Sequence, residues 1–499
     1  MTRRTDPGTP AGGRPRSRRN MRQNGALESV GGHLRRAGVG LARVASQGST
    51  GPVYVATFRL PESFGGVTHA MLQHTRMFAR TTSGPVALLT FEHGLDVSER
   101  RRQLRSAGLL DSRTELRNLW AELREAPRAP WAKGHVLPDL PPVPAHHAAT
   151  TERAGDGSTV TYEDTAGVVA RDHLRADGTV VVRDVLENGR RVSFSYADRE
   201  GSVREVRGLR RLRRLWLDHV VQAPATLVVE SKGLLTAVGM THPPGVRKIF
   251  VVHGSHLLAG AADAHGPLDP KRSSFVDHLD DFDRIVFLTH AQLRDVGSRY
   301  GHRKSFTVLP NARDTTRVRA ERDRRRGVVV ARLVAAKGVD AAMRATGTAA
   351  RDAGHHLLLD ILGDGPQRSS LEQVAHTLDH VDVRMLGHVT DVPRRFASAS
   401  FSVLASSTEG HPLVLVESMA QGCVPIAYDV RYGPSEIIED GISGFLVPSG
   451  DESALARAIA CIVAMEPQRL ESMRAAARRR ADAFSERVVR RRWRDLVRN

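Results

Sequence analysis

Residues 406–444 read SSTEGHPLVLVESMAQGCVPIAYDVRYGPSEIIEDGISG, and this stretch decides the fold. Glu409 and Glu417 stand eight residues apart. Between them lies Gly410-His411-Pro412, followed by an apolar run that reads as a helix starting near Leu413. Just upstream, Phe401–Ala405 (FSVLA) reads as a buried strand. Glu409 then falls in a strand-to-helix loop and Glu417 about one turn inside the helix. A helix start offers unpaired N–H groups and about half a positive charge, which suits a phosphate. Carboxylates beside it accept hydrogen bonds from hydroxyls. Phosphate together with polyol points to a sugar nucleotide. Two glutamates at this spacing also arise by chance in an ordinary α/β unit, so the surroundings have to decide.

They do so through a resemblance. The stretch resembles the Glu-x7-Glu signature of retaining glycosyltransferases of the GT-B fold. Its continuation Tyr428-Asp429-Val430-Arg431-Tyr432-Gly433-Pro434-Ser435-Glu436 is similar to the poly(glycerol-phosphate) glucosyltransferase branch, which decorates wall teichoic acid. The resemblance implies an α/β GT-B architecture, two Rossmann-like domains facing across a cleft. It also implies retaining transfer of a hexose or N-acetylhexosamine from UDP-glucose or UDP-N-acetylglucosamine, with the nucleotide sugar as co-substrate and no metal or other cofactor.

Composition narrows the alternatives. A chain of 499 residues with 40% hydrophobic content supports two or three ordinary cores. It has no apolar run of membrane-spanning length and no signal-peptide pattern, so the expected compartment is the cytoplasm. Cys423 and Cys461 both read as buried thiols. The net charge is +18, and residues 1–50 carry ten arginines against Asp6 and Glu28, which reads as a disordered basic tail. A second basic run (Arg474, Arg478–Arg480, Arg487 and Arg490–Arg492) is either a solvated helix face or a contact for an anionic membrane or polymer. Aromatics at 5%, with no recognition module, argue against nucleic acid.

Along the first half, Pro52–Phe58 reads as a strand, and Gly65-Gly66 opens an amphipathic helix. That pair is a candidate phosphate or acceptor loop, since glycine lets backbone N–H groups approach a ligand. Pro85–Phe91 is the next strand. Between about 95 and 215, strands alternate with the turn signals Asp177-Gly178, Asn188-Gly189 and Glu200-Gly201 at hairpin spacing, an antiparallel insertion suited to oligomerisation or acceptor docking. The α/β pattern resumes at Thr226–Glu230 and Arg247–Val252, which runs into His253-Gly254-Ser255-His256. A histidine at such a strand end faces the ligand crevice. The resemblance places one near the donor sugar, His253 first and His256 second. Asp281-Phe282-Asp283 has metal-motif spacing but sits before a strand and reads as structural.

The second half alternates β and α regularly, and every polar oddity falls after a strand: Arg332 and Lys337, Gly363-Asp364-Gly365, Gly387-His388, then Glu409-Gly410. All share one sheet edge, where ligands bind. Arg332 and Lys337 present cations to a diphosphate, and Arg-x4-Lys-Gly is how the resembled family writes its donor phosphate site. The N–H groups of Leu413 and Val414 complete the cradle, Glu417 takes ribose, Glu409 holds the sugar, and Gly387 and His388 meet the base. His411-Pro412 stands where many relatives have Phe-Gly, which leaves sugar preference open.

The expected organisation is a tail (1–50), a first domain (51–94 and 216–310) holding the insertion (95–215), a nucleotide-sugar domain (311–480) and a terminal helix (481–499) returning to the first domain. The expected acceptor is an anionic polymer or a Ser/Thr-rich protein, with homo-oligomerisation through the insertion and peripheral membrane contact as further expectations. The rival readings are a silent, substrate-presenting subunit of a glycosyltransferase pair and a hydrolysing or epimerising relative.

Overall fold

The computed structural model describes residues 51–498 apart from 63–64, 127, 144–147, 155–156 and 240–243. The expected tail, residues 1–50, lies outside the described residues.

Two parallel sheets and one antiparallel sheet build the chain. The first parallel sheet contains β1 (Val53–Ala56), β2 (Val86–Thr90), β3 (Thr114–Asn118), β11 (Ala225–Val229), β12 (Val246–Val252), β13 (Arg284–Phe287) and β14 (Phe306–Val308), ordered 14-13-12-11-1-2-3. β1, β2 and β11 are buried at every position. They are continuous apolar runs because helices cover both faces of the sheet. The strand order reverses between β1 and β11, so the loops after them diverge and open a crevice.

The second parallel sheet contains β15 (Asp323–Val330), β16 (Leu357–Leu362), β17 (Val381–Gly387), β18 (Ala399–Leu404), β19 (Val424–Asp429) and β20 (Phe445–Pro448), ordered 17-16-15-18-19-20. Its reversal lies between β15 and β18. The loop carrying Arg332 and Lys337 and the loop carrying Glu409 therefore flank one crevice.

The antiparallel sheet contains β4 (His135–Leu137), β5 (Ala148–Ala154), β6 (Gly157–Asp164), β7 (Gly167–Leu174), β8 (Val180–Glu187), β9 (Arg190–Ala197) and β10 (Val203–Arg207), ordered 4-10-9-8-7-6-5. This corrects the insertion boundary of 95–215. Residues 97–125 form a helix, β3 and a second helix, and β3 pairs in parallel with β2. The misreading arose because β3 (TELRN) is polar at alternate positions, as an edge strand is. Nor is the insertion a separable module. Val182, Phe194 and Tyr196 of β8 and β9 share one core with Trp120, Trp216 and Leu227 of the first domain.

The chain passes between the domains twice, at residues 309–313 and 483–486. The two crossings are stitched where Arg313 N–H donates to the Phe484 carbonyl at 2.9 Å. Beyond them the helix Glu486–Arg498 buries Val489, Trp493 and Val497, one face at a spacing of four, against the helix Gly66–Thr81. Trp493 meets Phe78 edge-on at 5.3 Å.

Two further expectations change. Cys423 is buried, but Cys461 is exposed. Part of the C-terminal basic run turns inward: Arg480 donates to the Ile437 carbonyl at 3.0 Å, and Arg474 to Ser400 Oγ at 3.1 Å. Those guanidiniums satisfy buried oxygens instead of forming a solvated face.

Candidate active site

The loops at the second sheet's carboxyl edge are tied to one another by their own backbones. Leu333 N–H donates to the Asp364 carbonyl at 2.9 Å, Gly363 N–H to Gly387 at 2.7 Å, and Ser407 N–H to Ala336 at 2.9 Å. Four sequence-distant segments thus become one surface. Gly338 adopts φ +55°, and a Cβ there would lie 2.2 Å from the Ala405 carbonyl oxygen. Only glycine lets the Lys337 loop lie this close to the end of β18.

The consequence is an ion pair. Lys337 Nζ lies 2.5 Å from Glu409 Oε1, and both side chains are mostly buried. Arg332, by contrast, is exposed, and no acidic partner faces it among the described residues. The helix Leu413–Ala420 begins after Pro412, as expected, four residues past Glu409. Glu417 on that helix is bonded to Arg313 of the domain crossing. Burial raises the Glu417 carboxyl above its ordinary pKa, and the Arg313 charge and hydrogen bond only partly offset it.

Across the cleft, the Gly65-Gly66 loop is open, with nothing within 4 Å of a Cβ at either position. One turn into that helix stands His69. Burial first, then the charges of Arg313 and His388, lower its pKa to about 4. His69, Arg313, His388 and Glu417 therefore belong to one region bridging the domains. Gly410 closes it from another side: a Cβ there would lie 2.3 Å from the His253 carbonyl oxygen. Glu409 is thereby held next to the end of β12.

His253 and His256 separate. His253 Nε2 bonds Glu230 Oε2, whose other oxygen lies 2.9 Å from His74 Nδ1. Burial works against the Glu230 charge, but the two imidazoles overcome it and hold its pKa at about 2. His256 lies where the two domains pack on one another. It is fully buried, stacked on Tyr432 at 6.0 Å and 3°, and burial lowers its pKa to about 4. His411 is likewise buried, edge-on to Phe484 at 5.3 Å.

Asp281 and Asp283 go to different partners, His278 at 2.7 Å and the Lys248 N–H at 2.8 Å. Among the described residues no group of three or more His, Cys, Asp or Glu side chains is placed to hold a metal ion.

Sequence reasoning missed Arg313, His69, His74 and Glu230. Only Glu230 left a signal, a carboxylate closing the wholly apolar strand TLVVE. The others become neighbours of the site through the domain crossing and the cleft.

Two doubly wound domains with their loops meeting at one cleft are the GT-B architecture, and residues 313–480 match the family model described as glycosyl transferases group 1. The chain is similar to the poly(glycerol-phosphate) alpha-glucosyltransferase of Bacillus subtilis, 20% identical with 81% of this chain and 69% of that protein covered. It is also 25% identical to the GtfA subunit of a UDP-N-acetylglucosamine–peptide N-acetylglucosaminyltransferase of Streptococcus gordonii, over 60% of each chain. An exopolysaccharide phosphotransferase of Streptomyces coelicolor is 32% identical over 54% of this chain, which spans only 28% of that protein's length. Among solved structures, S. aureus TarM superposes with TM-score 0.70 at 15% identity, covering 89% of this chain and 99% of TarM. Pneumococcal GtfA with UDP and GlcNAc superposes with TM-score 0.66 at 17% identity, covering 89% and 98%.

Proposed function

We propose that this chain is a retaining hexosyltransferase that moves glucose or N-acetylglucosamine from a UDP-sugar onto a cell-surface polymer of the wall teichoic acid kind. The observation that carries it is the placement of Glu409, bonded to Lys337 and held at the end of β12 by the Gly410–His253 contact. Relatives named as polymer and peptide glycosyltransferases support the same class.

In this reading the UDP diphosphate lies on Arg332, Lys337 and the N–H groups of Leu413 and Val414. Those fixed donors oppose the charge that builds as the bond from C1 to the phosphate oxygen breaks. Gly363, Gly387 and His388 border the base, and Glu417 takes the ribose hydroxyls. Glu409 holds the sugar hydroxyls and stabilises positive character at C1. Glu409 is bonded to Lys337 and Glu230 to two histidines, so a front-face displacement is favoured over a carboxylate nucleophile. The acceptor oxygen bonds to C1 on the face the phosphate leaves, and its proton passes to the departing phosphate oxygen. His253 flanks the sugar from the first domain. No metal is needed in this scheme, because fixed cations do the metal's electrostatic work.

The site has its charge set intact, which favours a working enzyme over a silent subunit. The reaction takes place on the cytoplasmic side, where nucleotide sugars are made. No helix among the described residues is long and apolar enough to cross a membrane, so any membrane contact in this scheme is peripheral. The test is UDP release from purified UDP-glucose and UDP-N-acetylglucosamine, with and without glycerol-phosphate polymer or Ser/Thr-rich peptide. Release stimulated by polymer and by neither peptide nor water alone is the expected result. Stimulation by peptide only would replace this acceptor assignment.

A further inference from the structure

A buried cation, Arg213, stands without an acidic partner among the described residues. Arg213, on the helix Leu209–Val220 that follows the insertion, is 8% exposed. Its guanidinium lies 4.7 Å above the ring centroid of Phe58, in the loop after β1. Its Nε has no hydrogen-bond partner, and no acidic group lies among its charged neighbours, which are Arg191 and Arg210. Burial, with those two cations facing it, pushes the Arg213 pKa down to about 10. A buried guanidinium without a counter-ion is strongly unfavourable, and stacking on one ring offsets only a fraction of that cost.

The carboxylates nearby are already engaged. Asp184 bonds Arg191 Nε at 2.8 Å. Glu92 accepts from the Leu60 N–H at 2.7 Å and lies in the field of Arg100 and Arg59, so its charge is shared between those two cations and does not reach Arg213. Arg59 also stands by the Phe58 ring, its guanidinium 5.6 Å from the centroid. Cations from the helix Leu209–Val220 and from the loop after β1 thus share one aromatic ring, with Arg191 of β9 and Arg210 in the field of Arg213.

This spot communicates with the active site. Phe58 packs beside Gly233, where a Cβ would lie 3.8 Å from it, and Gly233 follows Lys232 in the loop after β11. Lys232 lies in the field of Asp269 first, then of Arg272 and Lys271, and Asp269 is also ion-paired with Arg272 at 3.3 Å. Arg272 in turn donates to Thr408 Oγ1 at 3.4 Å, one residue before Glu409. Arg272, Lys232 and Arg213 thus mark a path along the first sheet's carboxyl edge, with Asp269 the acidic group between the first two.

We infer that Arg213, stacked on Phe58 and flanked by Arg191, Arg210 and Arg59, is an anion subsite that holds a backbone phosphodiester of the polymer acceptor while a neighbouring unit is glycosylated at Glu409. This rests on the proposed polymer transfer for its substrate, but not for its test. A planar guanidinium matches two phosphate oxygens at once. Each phosphate of a repeating chain can be passed along Lys232 and Arg272. The insertion, which supplies Arg191 and leads into Arg213, is then the element that reads the acceptor's charge.

The experiment is direct binding, with no turnover required. A short glycerol-phosphate oligomer is titrated calorimetrically into the full chain and into Arg213→Gln, Arg213→Lys, Arg210→Gln and Arg59→Gln. The expected result is roughly tenfold weaker binding for Arg213→Gln, partial recovery in Arg213→Lys and severalfold losses for the two exposed arginines. UDP affinity, titrated alongside, reports separately on the donor site, so its loss counts against the proposed transferase reading and not against this one. If Arg213→Gln does not fold, the two exposed variants carry the same comparison. Oligomer binding that is absent in the wild type, or equal across all variants, overturns the subsite. So does inorganic phosphate binding as tightly as the oligomer, which would make the site one for free phosphate.

Discussion

Lys337 Nζ and Glu409 Oε1 lie 2.5 Å apart although 72 residues separate them in the chain. Each neutralises the other across the crevice where β15 and β18 diverge. A sugar diphosphate entering there gives Lys337 a second, more highly charged partner and gives the carboxylate hydroxyl donors in exchange. In the proposed reaction this pair meets charge that moves between donor and leaving group.

From this follows the first prediction. Lys337→Ala lowers kcat by about 100-fold or more, the magnitude seen when one preorganised transition-state donor is removed. Donor affinity changes less, since Arg332 and the helix start remain. The same assay run in EDTA keeps its rate in the wild type. Activity lost to the chelator and restored by magnesium or manganese would assign the phosphate charge to a metal instead.

Arg313 and Glu417 make a second, pH-dependent prediction. Burial raises the Glu417 pKa and Arg313 restrains it. A protonated Glu417 loses acceptor capacity for ribose, so UDP affinity falls as pH drops through that raised pKa. Arg313→Ala removes the restraint and shifts the fall to higher pH. Superimposable affinity profiles for the two proteins would show that Glu417 does not face the nucleotide.

The Glu230 carboxylate sets a stability prediction. Its folded pKa of about 2 lies below the ordinary 4.5. The charge therefore stabilises the fold above the ordinary value, and that contribution is lost as pH falls from there toward 2. Glu230→Gln is destabilised by about 3 kcal/mol at neutral pH, the size of a depression of two to three units. Denaturant midpoints of the two proteins converge as pH is lowered. A constant gap across that window would mean that His74 and His253 do not hold the charge.

Glu436, in the teichoic-acid-like stretch, caps a helix of the other domain. Its Oε1 accepts from the Ala291 N–H at 2.7 Å and its Oε2 from the His290 N–H at 2.8 Å. Beside it, Tyr432 OH donates to Asp295 at 2.7 Å. Glu436→Ala costs about 1 kcal/mol as a lost cap. Because the cap spans the cleft, small-angle scattering should also show a larger radius of gyration. Loss of stability with an unchanged radius would make the contact a cap and nothing more.

What the sequence determined by itself is the local chemistry of the second domain. Most strands there close on apolar runs ended by polar residues or glycine, so Arg332, Lys337, Gly363, Gly387 and Glu409 can be assigned to one sheet edge from the β–α alternation. The break at Gly410-His411-Pro412 likewise announces the helix at Leu413, because proline suits a helix start. The tertiary structure decided whatever depends on how the domains meet. Within one short loop His253 ranks ahead of His256 by sequence, and the structure bonds the first to Glu230 and stacks the second on Tyr432. Arg313 reads as an ordinary linker residue until the crossing brings it to Glu417. Residues 95–125 read with the insertion until β3 is seen to pair with β2. The physical reason is common to all three. Strand and helix signals arise from neighbours within a few residues and survive in any context, whereas a side chain's partner across a cleft depends on two chain crossings whose path leaves no periodic trace.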